Sequence, residues 1–338
     1  MSEVIIEVTR GSLVENIIRG HVAVIGPDRN LAAHVGNADY LTYMRSTAKP
    51  LQASAAIESG AIDFFAISED ELAIMCGSHI GASYHVAALE SILVKIGLQE
   101  SDFTLGEDYS LSMDLRQQRV AEQQPPRKLY NNCSGKHACM LTLCRYVGWD
   151  YRAYQLPEHP VQQLIKATVA GYAEVAPESI IVGVDGCGVP VFALPLSSMA
   201  RAYANLAHAE RLPEPRQAAA RRLTAAMTAH PQMVAGWGQF CTELMRVTKG
   251  RIIGKLGADG AYCAAELSGD LAFALKIEDG NTAMLPLAVM RVLNELDILT
   301  QAENTALAAF SRFDNLNCQK DKVGEAKAVF HLTRGTYE

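Results

Sequence analysis

Short apolar, β-branched runs occur near both ends of the chain, whereas the middle repeats apolar residues at helical spacing. Runs bounded by Gly, Pro or Asp are typical of strands, and a three-to-four-residue spacing is typical of amphipathic helices. We predict strands at residues 4–8, 21–25 (after a turn at Arg19-Gly20), 31–35, 179–184, 251–255, 261–267 and 271–277. We predict helices at residues 46–59, 83–96, 136–147, 161–175, 196–209, 214–229 and 282–295, with another from residue 302.

This distribution of elements predicts the fold class. Strands contributed by both termini form one antiparallel sheet most simply when a helical region is inserted between them. The class is therefore α/β (α+β). Residues 1–45 and 250–338 form the sheet region, and residues 46–249 form a mainly helical region, packed together as a single unit.

Composition and charge narrow the function classes. Hydrophobic residues make up 49% of the 338 positions and charged residues 20%, which is typical of a globular chain with a large core. The net charge of −7 and the absence of a basic stripe argue against nucleic acid and anionic membranes as partners.

The sequence has no signal-peptide pattern and no membrane-spanning run, so we expect a cytoplasmic protein. For such a protein the 8 cysteines do not indicate a disulfide framework, and Cys139, Cys144, Cys241 and Cys263 are expected to be buried thiols.

The stretch 45–50, Arg-Ser-Thr-Ala-Lys-Pro, contains the first candidate for catalysis. Ser46 and Lys49 are three residues apart at a predicted helix start, so their side chains point to the same side. A lysine whose pKa is lowered by burial or a neighbouring cation can accept the serine proton. We therefore expect the Ser46 hydroxyl to lie against an uncharged Lys49 amine.

Two later stretches extend this pattern. Ser78 lies on a turn bracketed by glycines, and Lys255-Leu256-Gly257 ends a predicted strand. Penicillin-recognising enzymes have a similar order of Ser-x-x-Lys, a serine turn and Lys-x-Gly. The present chain lacks the Asn of the middle element and the Thr of the last, which argues against a β-lactam substrate. Gly257 suits a strand along which a substrate lies close to the backbone.

A third set of residues has metal-binding chemistry. Cys133 and Lys136 are three apart at a helix start, and Cys187 lies in a Gly-rich turn after a predicted strand. Thiolates suit zinc, and two of them with a third ligand and a water would form an open tetrahedral site. The spacing alone leaves ordinary turn cysteines as the alternative.

Taken together, these stretches make the chain similar to the rhizobial-type L-asparaginases, also called the asparaginase II or thermolabile family. The similarity is carried by residues 45–50, 76–79, 132–137, 185–190 and 255–260, in that order. It extends over nearly the whole length. The family usually has Glu where Asp259 stands here, a departure that should not alter the chemistry.

The resemblance implies a fold like that of serine β-lactamases and glutaminases, usually as a homodimer, and hydrolysis of L-asparagine to L-aspartate and ammonia. It implies two catalytic Ser–Lys pairs, Ser46 with Lys49 and Ser78 with Lys255. It also implies zinc bound by Cys133, Lys136 and Cys187. We expect four further residues in or beside the substrate site, with Arg45 as a carboxylate clamp: Arg45, His137, Asp185 and Gly257.

Two other functions remain open from the sequence. A glutaminase or β-lactamase-like hydrolase could use the same scaffold. A non-catalytic zinc-binding regulator would need Cys133 and Cys187 but would not need Ser46, Lys49, Ser78 and Lys255 together.

Overall fold

A computed structural model of the chain describes residues 1–335. Twelve strands occur in this part: β1 Glu3–Arg10, β2 Leu13–Ile25, β3 Leu31–Val35, β4 Leu41–Tyr43, β5 Ile181–Val184, β6 Pro190–Pro195, β7 Ile252–Gly257, β8 Ala261–Glu266, β9 Ala272–Ile277, β10 Phe313–Leu316, β11 Lys322–Ala328 and β12 Thr333–Arg334. Thirteen α-helices occur in the same residues: α1 Lys49–Glu58, α2 Ala61–Phe64, α3 Glu69–Met75, α4 Ser83–Ile96, α5 Met113–Ala121, α6 Ser134–Val147, α7 Pro160–Ala173, α8 Leu196–Ala207, α9 Arg216–Ala229, α10 Pro231–Val234, α11 Phe240–Val247, α12 Leu285–Glu295 and α13 Gln301–Ala306.

The main sheet is antiparallel and takes its strands from both ends of the chain, as predicted. Its order is β10-β11-β1-β2-β9-β8-β7, and β3 pairs with both β2 and β12. The inner half of β2 is buried along its length, and α8 packs on β2, β8 and β9. The fold class predicted from the hydrophobic pattern is therefore confirmed.

The predicted turn at Arg19-Gly20 is wrong, because β2 runs straight through it. Gly20 pairs with Ile277 of β9, and a Cβ on Gly20 would lie 2.6 Å from the Lys276 carbonyl oxygen. The glycine therefore permits close packing within the sheet instead of reversing the chain.

A second sheet of three strands, β4-β6-β5, was not predicted. Its central strand, β6, pairs antiparallel with β4 on one side and with β5 on the other. β4 ends shortly before Ser46, and β5 ends directly before Asp185. This small sheet brings two of the chemistry-bearing turns to the same side of the molecule.

The helical region surrounds α1, which is buried along most of its length and packs against α6, α7 and α9. Gly97 and Gly148 end α4 and α6 with φ values of 68° and 81°, in the left-handed conformation that favours glycine.

None of the helices in residues 1–335 has both the length and the apolar character needed to cross a bilayer.

Candidate active site

Ser46 lies in a tight turn where the small sheet meets the main sheet. The turn is a 3-10 segment, Arg45–Ala48, followed directly by α1. Arg45 has a φ of 51°, which a non-glycine residue rarely adopts and which is often found at functional sites. Gly257 at the end of β7 permits the close approach, since a Cβ there would lie 2.9 Å from the Met44 carbonyl oxygen. The glycine expected to leave room for a substrate thus brings β7 against the Ser46 turn.

Lys49 is fully buried, and its amine points to a different serine from the one predicted. Lys49 Nζ lies 2.7 Å from the Gly77 carbonyl oxygen, 3.0 Å from Ser78 Oγ and 3.0 Å from the Asn132 carbonyl oxygen. Within residues 1–335 it makes no hydrogen bond to Ser46. The expected Ser46–Lys49 hydrogen bond is therefore absent, because the buried amine on its long stem reaches two acceptors on the Ser78 turn and a third at Asn132.

Ser78 is the meeting point of both lysines. Lys255 Nζ lies 2.9 Å from Ser78 Oγ and 2.7 Å from the Leu256 carbonyl oxygen. The Ser78 turn is fixed by its own backbone, because the Ser78 N–H donates to the Val234 carbonyl at 2.8 Å. The predicted pair of Ser78 and Lys255 is present in the structure, with Lys49 as a third member.

Burial sets the charge of both lysines. It lowers the pKa of Lys255 to about 7, with the nearby Lys49 charge acting in the same direction and the Cys241 thiol opposing it. Burial also lowers the pKa of Lys49, although Cys133 opposes the shift. A neutral lysine amine accepts protons, so this cluster has the chemistry of a general base at near-neutral pH.

A second cluster contains the predicted cysteines. The ligand atoms of Cys133, Asp185 and Cys187 all lie within 4.8 Å of one another. Lys136 Nζ lies 3.0 Å from Asp185 Oδ2, and the Cys187 thiol lies 3.5 Å from the same oxygen. The two thiols of the predicted set are thus adjacent, and Asp185 lies among them as an additional candidate ligand.

Neighbouring groups lower the pKa values of two members of this cluster, Cys133 and Asp185. The hydrogen bond from Cys187 lowers the pKa of Cys133, outweighing burial, and Lys49 and Lys136 act in the same direction. Burial raises the pKa of Asp185, but Lys136 and Arg45 hold it below its ordinary value. A thiolate beside a carboxylate is an electron-rich donor set, which fits a borderline-soft divalent ion such as zinc.

Two residues expected at the substrate have other contacts. Arg45 Nε lies 3.0 Å from Asp185 Oδ1, and its Nη1 pairs with Asp259, so protein carboxylates already bind its fork. His137 is wholly buried in α6, and its Nδ1 lies 2.6 Å from the Tyr154 hydroxyl. It does not line the cavity beside Ser46, because its position on α6 turns the ring toward the core.

A cavity of about 480 Å³ opens beside these residues. Ser46, Ser78 and Lys255 lie on its wall, together with Asn132 and Ala258. Pockets of this size hold small molecules. Three titratable or nucleophilic groups therefore face a space that a substrate can enter.

Two residues beside the lysine cluster were not predicted from the sequence. The Asn132 carbonyl binds Lys49, and Cys241 Sγ accepts the Leu256 N–H at 3.2 Å. Asn132 could have been found, because it lies in the same motif as Cys133. Cys241 could not, since only the fold brings α11 against β7.

Comparison with known proteins identifies the family. A family model described as L-asparaginase II matches residues 6–328. No curated protein matches the chain. Among solved structures, Mglu in its native form is 17% identical with a TM-score of 0.39, covering 83% of this chain and 61% of Mglu. A β-lactamase from Mycobacterium bovis is 18% identical with a TM-score of 0.43, covering 82% of this chain and 94% of that one.

The present chain thus spans about three fifths of Mglu, at 61% of its length. The family assignment rests on the family model, whose match leaves out only the first five residues and the last ten. The chain therefore belongs to the L-asparaginase II family.

Proposed function

We propose that this protein is an L-asparagine amidohydrolase that forms L-aspartate and ammonia through an ester on Ser46. One observation carries the proposal: Ser78 Oγ is shared by two buried lysine amines at 3.0 and 2.9 Å, beside Ser46 in one cavity. Family membership supports the choice of an amide as the substrate.

Ser46 is the preferred nucleophile because of the donors around it. Neither the Ser46 N–H nor the Ala258 N–H donates a hydrogen bond within residues 1–335, and both residues line the cavity. Two such donors suit the oxyanion of a tetrahedral intermediate, and losing one donor of this kind costs roughly 3 kcal/mol. The Ser78 N–H already binds Val234, so an adduct on Ser78 would lack its own N–H donor.

Lys49, Lys255 and Ser78 accept and return the protons of the reaction. Ser46 Oγ attacks the side-chain amide carbon, and its proton passes to Ser78 or Lys255, which line the same cavity, and so into the network that they form with Lys49. The C–N bond breaks, and the nitrogen leaves as ammonia after taking a proton from the same network. Water then cleaves the aspartyl ester, giving its proton to the network and restoring the Ser46 hydroxyl.

The cluster beside the cavity fits zinc. Cys133 and Cys187 would hold the ion with Lys136, as the resemblance implies, and the Asp185 carboxylate is close enough to join them. Bound zinc would supply a positive charge that fixes the amino-acid head group of the substrate. Lys136 must lose its proton to become a ligand, yet the negative charges of Cys133, Cys187 and Asp185 raise its pKa despite burial. Proton loss therefore accompanies zinc binding.

The alternatives make different predictions. A glutaminase on this scaffold would release ammonia faster from glutamine, and a β-lactamase-like hydrolase would open β-lactams. A zinc-binding regulator would bind zinc but release no ammonia. Occurrence as a homodimer stays an implication of the family resemblance, and a cytoplasmic location stays a prediction of the sequence.

Ammonia release from L-asparagine and L-glutamine, measured for the wild type and for Ser46→Ala, tests the proposal. Zinc content is measured on the same samples. We expect a faster reaction with asparagine, since one methylene changes kcat/KM by roughly 10- to 200-fold. We expect Ser46→Ala to lose the reaction while it keeps its zinc. Ammonia release by neither protein, with zinc bound to both, would favour the regulator.

A further inference from the structure

The cavity has a composition that asparagine does not explain. Beyond Ser46, Ser78 and Lys255, its wall includes Leu111, Phe240, Leu256, Pro286 and Phe310. Phe240 and Phe310 contact each other with ring centroids 5.0 Å apart. A volume of about 480 Å³ lies within the range that holds drug-sized ligands, and asparagine is much smaller and polar throughout.

Charged and apolar segments both contribute to the cavity wall. Arg45, the residue before Ser46, pairs with Asp185 and Asp259. Asn132 and Ala258 lie on the wall, and each is followed in sequence by a charged-cluster residue: Cys133 beside Asp185, and Asp259 beside Arg45. The phenylalanines form another part of the wall. An amino-acid head group with its two charges suits the charged segments and not the phenylalanines.

The position of the leaving nitrogen follows from the residues that protonate it. In the proposed reaction the leaving nitrogen takes a proton from the network of Ser78 and Lys255, and both residues line the cavity. A general acid must lie within hydrogen-bonding distance of the atom that it protonates. The leaving nitrogen therefore faces the cavity, and any group attached to that nitrogen enters the space beside Phe240 and Phe310.

We propose that the enzyme accepts β-aspartyl amides whose leaving amine carries an apolar group, in addition to asparagine itself. This inference rests on the proposed function, because it uses the same ester on Ser46. Ser46 Oγ forms a bond to the amide carbon, the C–N bond breaks, and the substituted amine leaves with one proton from the network. Water then cleaves the ester, so the products are L-aspartate and the free amine.

The test uses L-aspartic acid β-anilide as the apolar substrate and L-asparagine as the small one. Aniline and ammonia are measured as products of the wild type. We expect aniline release with a kcat/KM at least as high as that for ammonia release from asparagine. Ammonia release without aniline release would overturn this inference and leave the proposed function standing. Release of neither product would overturn both, and aniline release alone would support the inference and remove asparagine as a substrate.

A variant links the effect to the cavity wall. Ala283 is exposed at the cavity rim, so Ala283→Trp can narrow the apolar space without entering the core. We expect the ratio of kcat/KM for the anilide to that for asparagine to fall about 10-fold or more, as for a misfit in an apolar pocket. The matched control is Ala302→Trp, an exposed position outside the cavity, which should leave the ratio as in the wild type. An unchanged ratio in Ala283→Trp would contradict the inference.

Discussion

The Nζ atom of Lys49 lies 3.0 Å from the Oγ atom of Ser78, a serine 29 residues away in sequence. Within residues 1–335 it makes no hydrogen bond to Ser46, which is only three residues away. Lys255 binds the same hydroxyl from the other side, at 2.9 Å. The two predicted Ser–Lys pairs are thus one network centred on Ser78. Ser46 is left with a hydroxyl that faces the cavity and an N–H that has no acceptor in residues 1–335.

A single network predicts that mutations within it do not add. Ser78→Ala and Lys49→Met should each lower kcat for asparagine by roughly 10³-fold or more, and the double variant should be no worse than the more damaged single variant. Steady-state kinetics of the three proteins test this, with circular dichroism to confirm folding. Independent, additive losses would show that Lys49 does not act together with Ser78.

The pH dependence follows from Lys255, whose pKa burial lowers to about 7. Lys255 must be uncharged to accept a proton, and the uncharged fraction grows as the pH rises through that value. We expect kcat/KM to rise about tenfold per pH unit below pH 7 and to level off above it. Lys255→Met should lack the activity. Lys249→Met, at an exposed position, should keep the wild-type profile. A wild-type profile that falls as the pH rises through 7 would contradict this role.

Asp185 should control zinc affinity. Its carboxylate lies within 4.8 Å of both thiol sulfurs and binds Arg45 and Lys136. It therefore holds these side chains in place and adds a negative charge to the metal site. Asp185→Asn keeps the shape and removes the charge. We expect zinc affinity, measured by competition with a chromogenic chelator, to fall roughly 10- to 100-fold.

The matched control for Asp185 is Asp63→Asn. Asp63 is an exposed carboxylate that also pairs with an arginine, Arg222, at 2.6 Å. This variant should bind zinc like the wild type. Equal zinc affinity in Asp185→Asn and Asp63→Asn would exclude Asp185 from the site.

Gly135 should be essential for packing the start of α6, which follows Cys133 directly. A Cβ on Gly135 would lie 2.1 Å from the Ile74 carbonyl oxygen at the end of α3. Gly→Ala within a helix ordinarily stabilises a protein by about 0.5–1 kcal/mol. Here we expect the opposite sign, a loss of about 1–3 kcal/mol in the free energy of unfolding, because backbone must move.

Urea denaturation of Gly135→Ala measures this loss. The control is Gly106→Ala, where the new Cβ would meet nothing within 4 Å and stability should change by no more than about 0.5 kcal/mol. A more stable Gly135→Ala protein would show that α3 and α6 are not in contact as described.

Much of the fold could be predicted, because many elements carry a strong hydrophobic pattern. The predicted strand at 31–35 and helix at 83–96 coincide with β3 and α4. Strands β10 and β11 were missed. Both are largely exposed or half-buried and rich in polar residues, so they lack the alternation that indicates a strand. β10 pairs with β11, and the pairing of β11 with β1 is a tertiary contact that no local pattern encodes.

The site was predictable in its residue types but not in its partners. Ser46, Ser78, Lys255 and Cys133 all lie in short motifs whose residue types already have the chemistry of nucleophiles, bases or metal ligands. The lysine partner of each serine could not be read from spacing, since a lysine side chain is long and buried amines take whichever acceptors surround them. The cavity wall could not be predicted either, because Leu111, Phe240 and Phe310 come from distant segments that share no motif.

Trapping the covalent intermediate would identify the nucleophilic serine. Acid quenching during turnover of L-asparagine, followed by proteolysis and mass spectrometry, locates the aspartyl ester on a peptide. We predict an aspartyl ester on Ser46 in the quenched wild type. An ester on Ser78, or turnover with no ester on either serine, would contradict it.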